Sequence, residues 1–314
     1  MSAVDAPIPP ARRRRAWTYY LLPVFATAVI VYLLVPIALM IVYSFNDSTA
    51  NLPTVTFNWQ GTTTRWYAEW NQVPGLTPAF FLSLRLAFLT SLVAMAIGTL
   101  LALSLVRYRF GGKRVVEQVL TLVIATPEIV LGASLLGFFI TLNMQKGFLT
   151  LFVAHVMFSV AYVTITVRAR LAGFDIAGYE EAAQDLGATP WVTFWKVTVP
   201  LILPGVIAGG LLAFALSIDD FVTSSFVAGT TNTFPLWVWG AVKVGIPPQV
   251  FVLGTMIFGV GLLFVAIYIA LQFRKGERRN GVVSRKRSGP LDDESQRRFG
   301  WSKNVAAQRA RGGG

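Results

Sequence analysis

The chain has 314 residues, 54% of them hydrophobic and only 13% charged, with a mean hydropathy of +0.60; soluble globular proteins carry charge on about a quarter of their residues, so this composition is that of a polytopic membrane protein. With no cysteine and a single histidine, disulfides, thiolate metal sites and multi-histidine metal sites are excluded, and neither a metal nor a cofactor is expected in this chain. The formal charge of +12 does not call for nucleic acid, because the basic residues sit in the two tails and in short loops beside apolar runs, where orientation in a lipid bilayer is the simpler cause.

Residues 1–16 are small, Pro-containing and end in Arg12 to Arg15, a basic segment with no fold of its own. The apolar run Trp17 to Phe45 exceeds the roughly 20 residues that cross a bilayer, and no small-x-small cleavage pattern follows it. It reads as a retained transmembrane helix, with Pro23 and Pro36 as kinks. Residues 46–78 are polar and turn-rich, and Trp59, Trp66, Tyr67 and Trp70 suit a segment lying on the outer interface, where amphipathic rings collect. Further spans are expected at Ala79 to Val106, Val115 to Leu142, Gly147 to Val167, Leu201 to Ala228 and Val250 to Phe273, six helices within residues 17–274. The tail, 275–314, is poor in apolar residues and reads as disordered.

Charge orients these spans. Arg107, Arg109, Lys113 and Arg114 follow the second span, Arg168, Arg170 and Lys196 the fourth, and Arg274, Lys275, Arg278 and Arg279 the sixth. The opposite loops hold chiefly Arg65, Lys146 and Lys243. The positive-inside rule then places both termini, and the loop between spans four and five, in the cytoplasm.

That loop, residues 173–200, is the polar island of the chain. Ile176 to Leu186 reads as a short acidic helix, with Glu180, Glu181, Ala182, Ala183 and Asp185 inside it and Gly187 at its C-terminal cap. Thr189 supplies an N-cap and Pro190 the first position of a second helix, Trp191 to Val199, expected to stop at Pro200. Trp191, Phe194 and Trp195 fall at i, i+3 and i+4, so one face of this helix is aromatic and wants a partner.

No nucleotide site is visible: Gly132 to Gly137 has the outer glycines of a phosphate loop but lacks the Lys and Ser/Thr that must follow, and it lies inside a span. Asp219 and Asp220 stand about 18 residues into the fifth span, roughly 27 Å from its start at ~1.5 Å per residue. A lipid-facing aspartate at the centre of a span costs roughly 2.5–3.5 kcal/mol, so these side chains must face protein or water. Glu128, after Pro127 in the third span and nearer mid-depth, adds a third carboxylate. A polycation is their natural complement; pairing with Arg85 of the second span, or capping broken helices at a gate, is the other reading. Gly205 and Gly209, with Gly210 adjacent, form a small-xxx-small face for close packing against the third span or a partner subunit. His155 reads as a hydrogen-bonded packing residue, because no carboxylate stands at i±3 or i±4.

Glu181-Ala182-Ala183, then Gly187 after three intervening residues, then the apolar-Pro step Val199-Pro200, resembles the EAA loop of ABC importer permeases, on which the ATP-binding subunit docks. The string from Glu180 to Pro200, with Ser44-Phe45-Asn46, Trp66-Tyr67, Pro127-Glu128-Ile129-Val130 and Ser217-Ile218-Asp219-Asp220-Phe221, is similar to the second permease of spermidine/putrescine importers from about Pro36 to Phe273. The resemblance implies an all-α, six-helix type I ABC importer permease fold in the bacterial cytoplasmic (inner) membrane. It implies an ATP-binding subunit dimer that hydrolyses ATP, a second permease subunit and an extracytoplasmic substrate-binding protein as partners. Glu180, Glu181, Ala182, Ala183, Asp185 and Gly187 would then be coupling residues, and Asp219, Asp220 and Glu128 candidates for the translocation path. Polyamine is the cargo implied, although permeases for iron, thiamine or phosphonate share this layout. The alternative from another class is an ion-coupled secondary transporter using the same intramembrane carboxylates; such carriers usually have more than six helices and inverted repeats, and no convincing repeat is present here.

Overall fold

The structure, a computed structural model, describes residues 18–47, 59–259 and 261–263. The basic segment 1–16 and the tail 275–314 lie outside the described residues. The described chain is helical throughout, with one isolated β-bridge between Asn46 and Thr62. Helix α1 (Thr18–Tyr43) is apolar on every side, and Leu22 and Tyr32 remain 75% and 76% exposed. A helix that is hydrophobic all round and unpacked belongs against lipid or another membrane helix.

At the end of α1, two of the aromatics expected at the outer interface pack on the chain itself. Trp66, in the short helix α2 (Arg65–Ala68), is buried, and its Nε1 donates to the Asn46 carbonyl at 2.9 Å. The Tyr67 hydroxyl lies 2.7 Å from Ser44 Oγ, and its ring stacks on Phe45 at 5.1 Å. These two aromatics brace the end of α1, where an indole N–H and a phenol hydroxyl are satisfied by polar groups the chain itself supplies. Trp59, by contrast, stays about half exposed.

Helix α3 (Leu76–Arg107) follows, and after it the expected third span is broken in two: α4 (Lys113–Ala125) and α5 (Glu128–Thr141) meet at 112°. Pro127 is the cause. It lacks the N–H that would continue the helix, and it forces the preceding residue out of the helical region, as the extended Thr126 (φ −71°, ψ 129°) shows. Glu128 therefore opens a helix at a break instead of lying inside a span, a position where an acid also complements the helix dipole.

Helix α6 (Phe148–Ala172) packs against α3 and against the helix carrying Gly205 and Gly209. Small residues let these backbones approach. A Cβ on Gly209 would lie 3.2 Å from Val163 Cγ1, one on Gly98 2.8 Å from the same atom, and one on Gly205 2.6 Å from Arg170 Cβ. The glycine face thus serves packing within the subunit, on α6, and not on the expected third span. Ala94, Leu103, Val163, Val167, Ile202 and Ala213 fill the core between these three helices.

The expected stop at Pro200 does not occur. Helix α7 (Ile176–Asp185) is followed by α8 (Pro190–Thr193), a widened turn (Phe194–Thr198) and α9 (Val199–Ile218), and the last three run on as one helix, Pro190–Ile218. Pro200 has no N–H for the Lys196 carbonyl and its ring would clash with it. The chain absorbs this by widening, with the Val199 N–H bonding the Phe194 carbonyl five residues back, instead of breaking. At ~1.5 Å per residue this helix is roughly 43 Å long, more than the ~30 Å hydrocarbon core.

Beyond it lie α10 (Val222–Val227), α11 (Phe234–Val244), whose first N–H donates to Ser83 Oγ at 2.9 Å, and an apolar helix α12, Pro248–Leu263. Among the described residues four helices are long and apolar enough to cross a membrane, five if the bent α4–α5 pair counts as one span. The sixth expected span begins in α12, and its remainder to Phe273 lies outside the described residues.

Candidate functional site

A cavity of ≈ 550 Å³ opens between the α4–α5 break, α6 and the α9–α10 junction. Glu128, Asp219 and Asp220, from segments nearly a hundred residues apart, all line it, together with Phe158, Tyr162 and Phe221. The two helix breaks create this arrangement. Each places a carboxylate where the backbone turns, so that it faces open space instead of a neighbouring helix.

The paired aspartates are not equivalent. Asp220 Oδ2 accepts from the Ser224 N–H at 2.7 Å and its Oδ1 from the Thr223 N–H at 3.3 Å, so its carboxylate caps the start of α10. The same carboxylate lies 3.4 Å from His155 Nε2. Asp219 is the C-terminal cap position of α9, remains exposed, and has no ion-pair partner among the described residues. Arg85, considered above as a partner for these acids, instead lies over the Phe148 ring at 5.1 Å.

His155 is fully buried, with Nδ1 2.7 Å from Ser217 Oγ and Nε2 3.1 Å from Ser224 Oγ. It joins α6 to both sides of the α9–α10 break. Its carboxylate neighbour comes from 65 residues further along the chain, which local i±4 spacing cannot register. Phe158 and Tyr162 went unread in the sequence, yet His155, Phe158 and Tyr162 fall at i, i+3 and i+7 of α6 and so mark one helix face.

At the other end of the α8–α9 helix sits the acidic loop. Asp175 caps α7 through the Gly178 N–H at 3.2 Å, and Thr189 caps α8 through the Val192 N–H at 3.4 Å. Glu181, Ala182, Asp185 and Gly187 are exposed, and Ala183 is half-buried with its carbonyl accepting from the Ala188 N–H at 3.0 Å. Gly187 has φ +87°, which a side chain would strain, while the space around it is open. Glu180 points the other way, into the fold, where Oε1 accepts from Arg107 Nη2 and from Thr198 Oγ1. Of the aromatic face, Phe194 packs on the subunit's own core, whereas Trp191 (71%) and Trp195 (51%) stay exposed, as does Leu186 (90%).

An all-α membrane bundle with a carboxylate-lined cavity at two helix breaks, and an exposed acidic loop at the far end of a cavity-lining helix, is the architecture of a transport permease. The chain belongs to the family of binding-protein-dependent transport system inner membrane components, whose model matches residues 94–276. It is 42% identical over 242 residues to the spermidine/putrescine transport system permease protein PotC of Escherichia coli (strain K12), a match covering 77% of this chain and 89% of that protein. It is 38% identical over 268 residues to the putrescine transport system permease protein PotI of the same organism, covering 82% and 92%. Among solved structures, that of an amino acid ABC transporter with histidines aligns with a TM-score of 0.50 at 20% identity, over 68% of this chain and 100% of the other, a likeness of fold. The chain is therefore a multi-pass permease subunit of the inner membrane, and family membership favours an ABC permease over the secondary carrier.

Proposed function

We propose that this subunit forms part of the path by which an ATP-driven importer admits a polyamine, spermidine or putrescine. The observation that carries this reading is the convergence of Glu128, Asp219 and Asp220 on one cavity that also presents Phe158, Tyr162 and Phe221. Protonated amines separated by methylene chains need carboxylates for the charges and apolar or π surfaces for the chain, and each cation–π contact adds about 0.5–2 kcal/mol. The polyamine names of the 42% and 38% identical relatives point to the same cargo.

Asp219 is the carboxylate free to meet the cargo, and Asp220 shapes the break that presents it. ATP binds not to this chain but to a dimer of separate ATP-binding subunits, which dock on Glu181, Ala182, Asp185, Leu186, Trp191 and Trp195. A second permease subunit completes the path, a binding protein delivers the cargo from outside, and both termini lie in the cytoplasm, as the loop charges require. Closure of the ATP-binding dimer displaces the docked loop, and the path alternates between its two openings.

The test is uptake of radiolabelled spermidine and putrescine, with the partner subunits of the importer co-expressed, in cells stripped of their own polyamine importers. Wild type restores uptake that survives collapse of the proton gradient and stops on ATP depletion. The combined Glu128→Gln, Asp219→Asn variant abolishes it at normal expression. Undiminished uptake in that variant, or none in wild type, overturns the reading.

A further inference from the structure

We propose that Arg107, Glu180 and Thr198 form a strut inside the subunit that makes α3 and the α8–α9 helix move with α7, so that displacement of the docking surface reaches the cavity. The inference rests on the coupling role proposed above for the loop. It assigns Glu180, one residue before the exposed Glu181, to the inside of the device rather than to the docking face.

The three residues come from three elements. Arg107 is the last residue of α3, whose neighbouring turns contribute Ala102 and Leu103 to the core against α6 and α9. Thr198 is fully buried at the end of the widened turn. Glu180 lies on α7, the helix that carries Glu181, Ala182 and Asp185 of the docking surface. Its carboxylate accepts from both Arg107 Nη2 and Thr198 Oγ1, and Arg107 Nη2 also reaches Thr198 Oγ1 at 3.1 Å, closing a triangle. The charged pair is partly shielded from water, with side-chain exposures of 29% and 20%, so it is screened less than a fully exposed pair.

The triangle adds a charged tie to the packing of α7 on the widened turn and α8. The apolar anchor of α7 itself is Ile176 at the start of the helix, while Glu181, Ala182, Asp185 and the following Leu186 and Gly187 are exposed. The part of a pull borne by Glu181, Ala182 and Asp185 would otherwise turn α7 about Ile176. The strut lies between the anchor and the docking residues and engages the α8–α9 helix at the turn whose regular hydrogen bonding Pro200 interrupts. A second tie stands beside it: Arg170 Nε donates to the Leu201 carbonyl at 3.2 Å, joining α6 to the same helix just past Pro200. Rotation imposed at Thr198 is then carried along the α9 backbone to Asp219 at its far end.

The experiment measures, in proteoliposomes holding the assembled importer, spermidine taken up per ATP hydrolysed, and in parallel the stoichiometry of the co-purified ATP-binding subunit. Glu180→Gln and Arg107→Gln are expected to keep that stoichiometry while uptake per ATP falls about tenfold, within the usual range of coupling between sites. The exchanged pair Arg107→Glu with Glu180→Arg is expected to recover at least half of the wild-type ratio. An unchanged ratio in both single variants, loss of the ATP-binding subunit from Glu180→Gln, or an exchanged pair no better than the singles overturns the strut. If the charged variants fail to accumulate in the membrane, Thr198→Val, which removes only a hydroxyl, decides: a lowered ratio supports the strut and a wild-type ratio overturns it. Failure of the wild-type chain to retain any ATP-binding subunit overturns the coupling role itself, and is seen before any variant is compared.

Discussion

Adjacent aspartates with different partners should respond differently to the same substitution. Asp220→Ala removes the acceptor of the Thr223 and Ser224 N–H groups at the start of α10, a capping loss of about 0.5–2 kcal/mol. It also removes the carboxylate 3.4 Å from His155 Nε2, inside a site where the imidazole is fully buried, and hydrogen bonds to charged groups contribute about 1.5–3 kcal/mol. The two losses share one side chain and do not simply add, so the expected destabilisation is about 2–4 kcal/mol. Asp219→Ala removes an exposed carboxylate with no ion-pair partner among the described residues, and its cost in stability should fall within about 0.5 kcal/mol of zero. Uptake reverses the ranking per folded molecule: Asp219→Ala should raise the half-saturating spermidine concentration of transport roughly ten- to hundredfold, the equivalent of one charge-assisted contact. Thermal unfolding of the detergent-solubilised subunit, followed by the monodisperse fraction left after heating, reads the first quantity, and initial uptake rates normalised to membrane-inserted protein read the second. Equal loss of thermal stability in the two variants, or a less stable Asp219→Ala than Asp220→Ala, would refute the assigned division of labour.

Two further outcomes follow from the loop and the glycine face. Gly187→Asp places a side chain at φ +87°, costing about 1 kcal/mol or more locally, and with Glu181→Lys it is expected to uncouple uptake from ATP hydrolysis while membrane insertion, measured by fractionation, stays intact. Gly205→Leu has no room, since even its Cβ would meet Arg170 Cβ at 2.6 Å; overpacking of about 1–3 kcal/mol should lower the yield of monodisperse protein, and pairing it with Arg170→Gly, which removes that Cβ and the Cγ at 2.8 Å, should recover part of that loss.

Membrane residence and most of the helices were legible in the linear chain, because an apolar run of 20 or more residues has few other destinations. The loop was legible too, since caps, short helices and a glycine at positive φ are local matters that Asp175, Thr189 and Gly187 settle among near neighbours. Proline was the residue read least well. Pro127 broke a span that was expected to run through, whereas Pro200 failed to stop one that was expected to end, because its effect depends on whether the surrounding turn can widen and on what packs beside it. Tertiary structure alone decided the partners of the acids: that Glu180 turns to Arg107 while Glu181 does not, that Asp220 meets His155, and that Glu128 and Asp219 share a cavity. Those pairings span up to about ninety residues, and an unpaired charge is so costly in a low-dielectric interior that each finds its place only once the helices have packed.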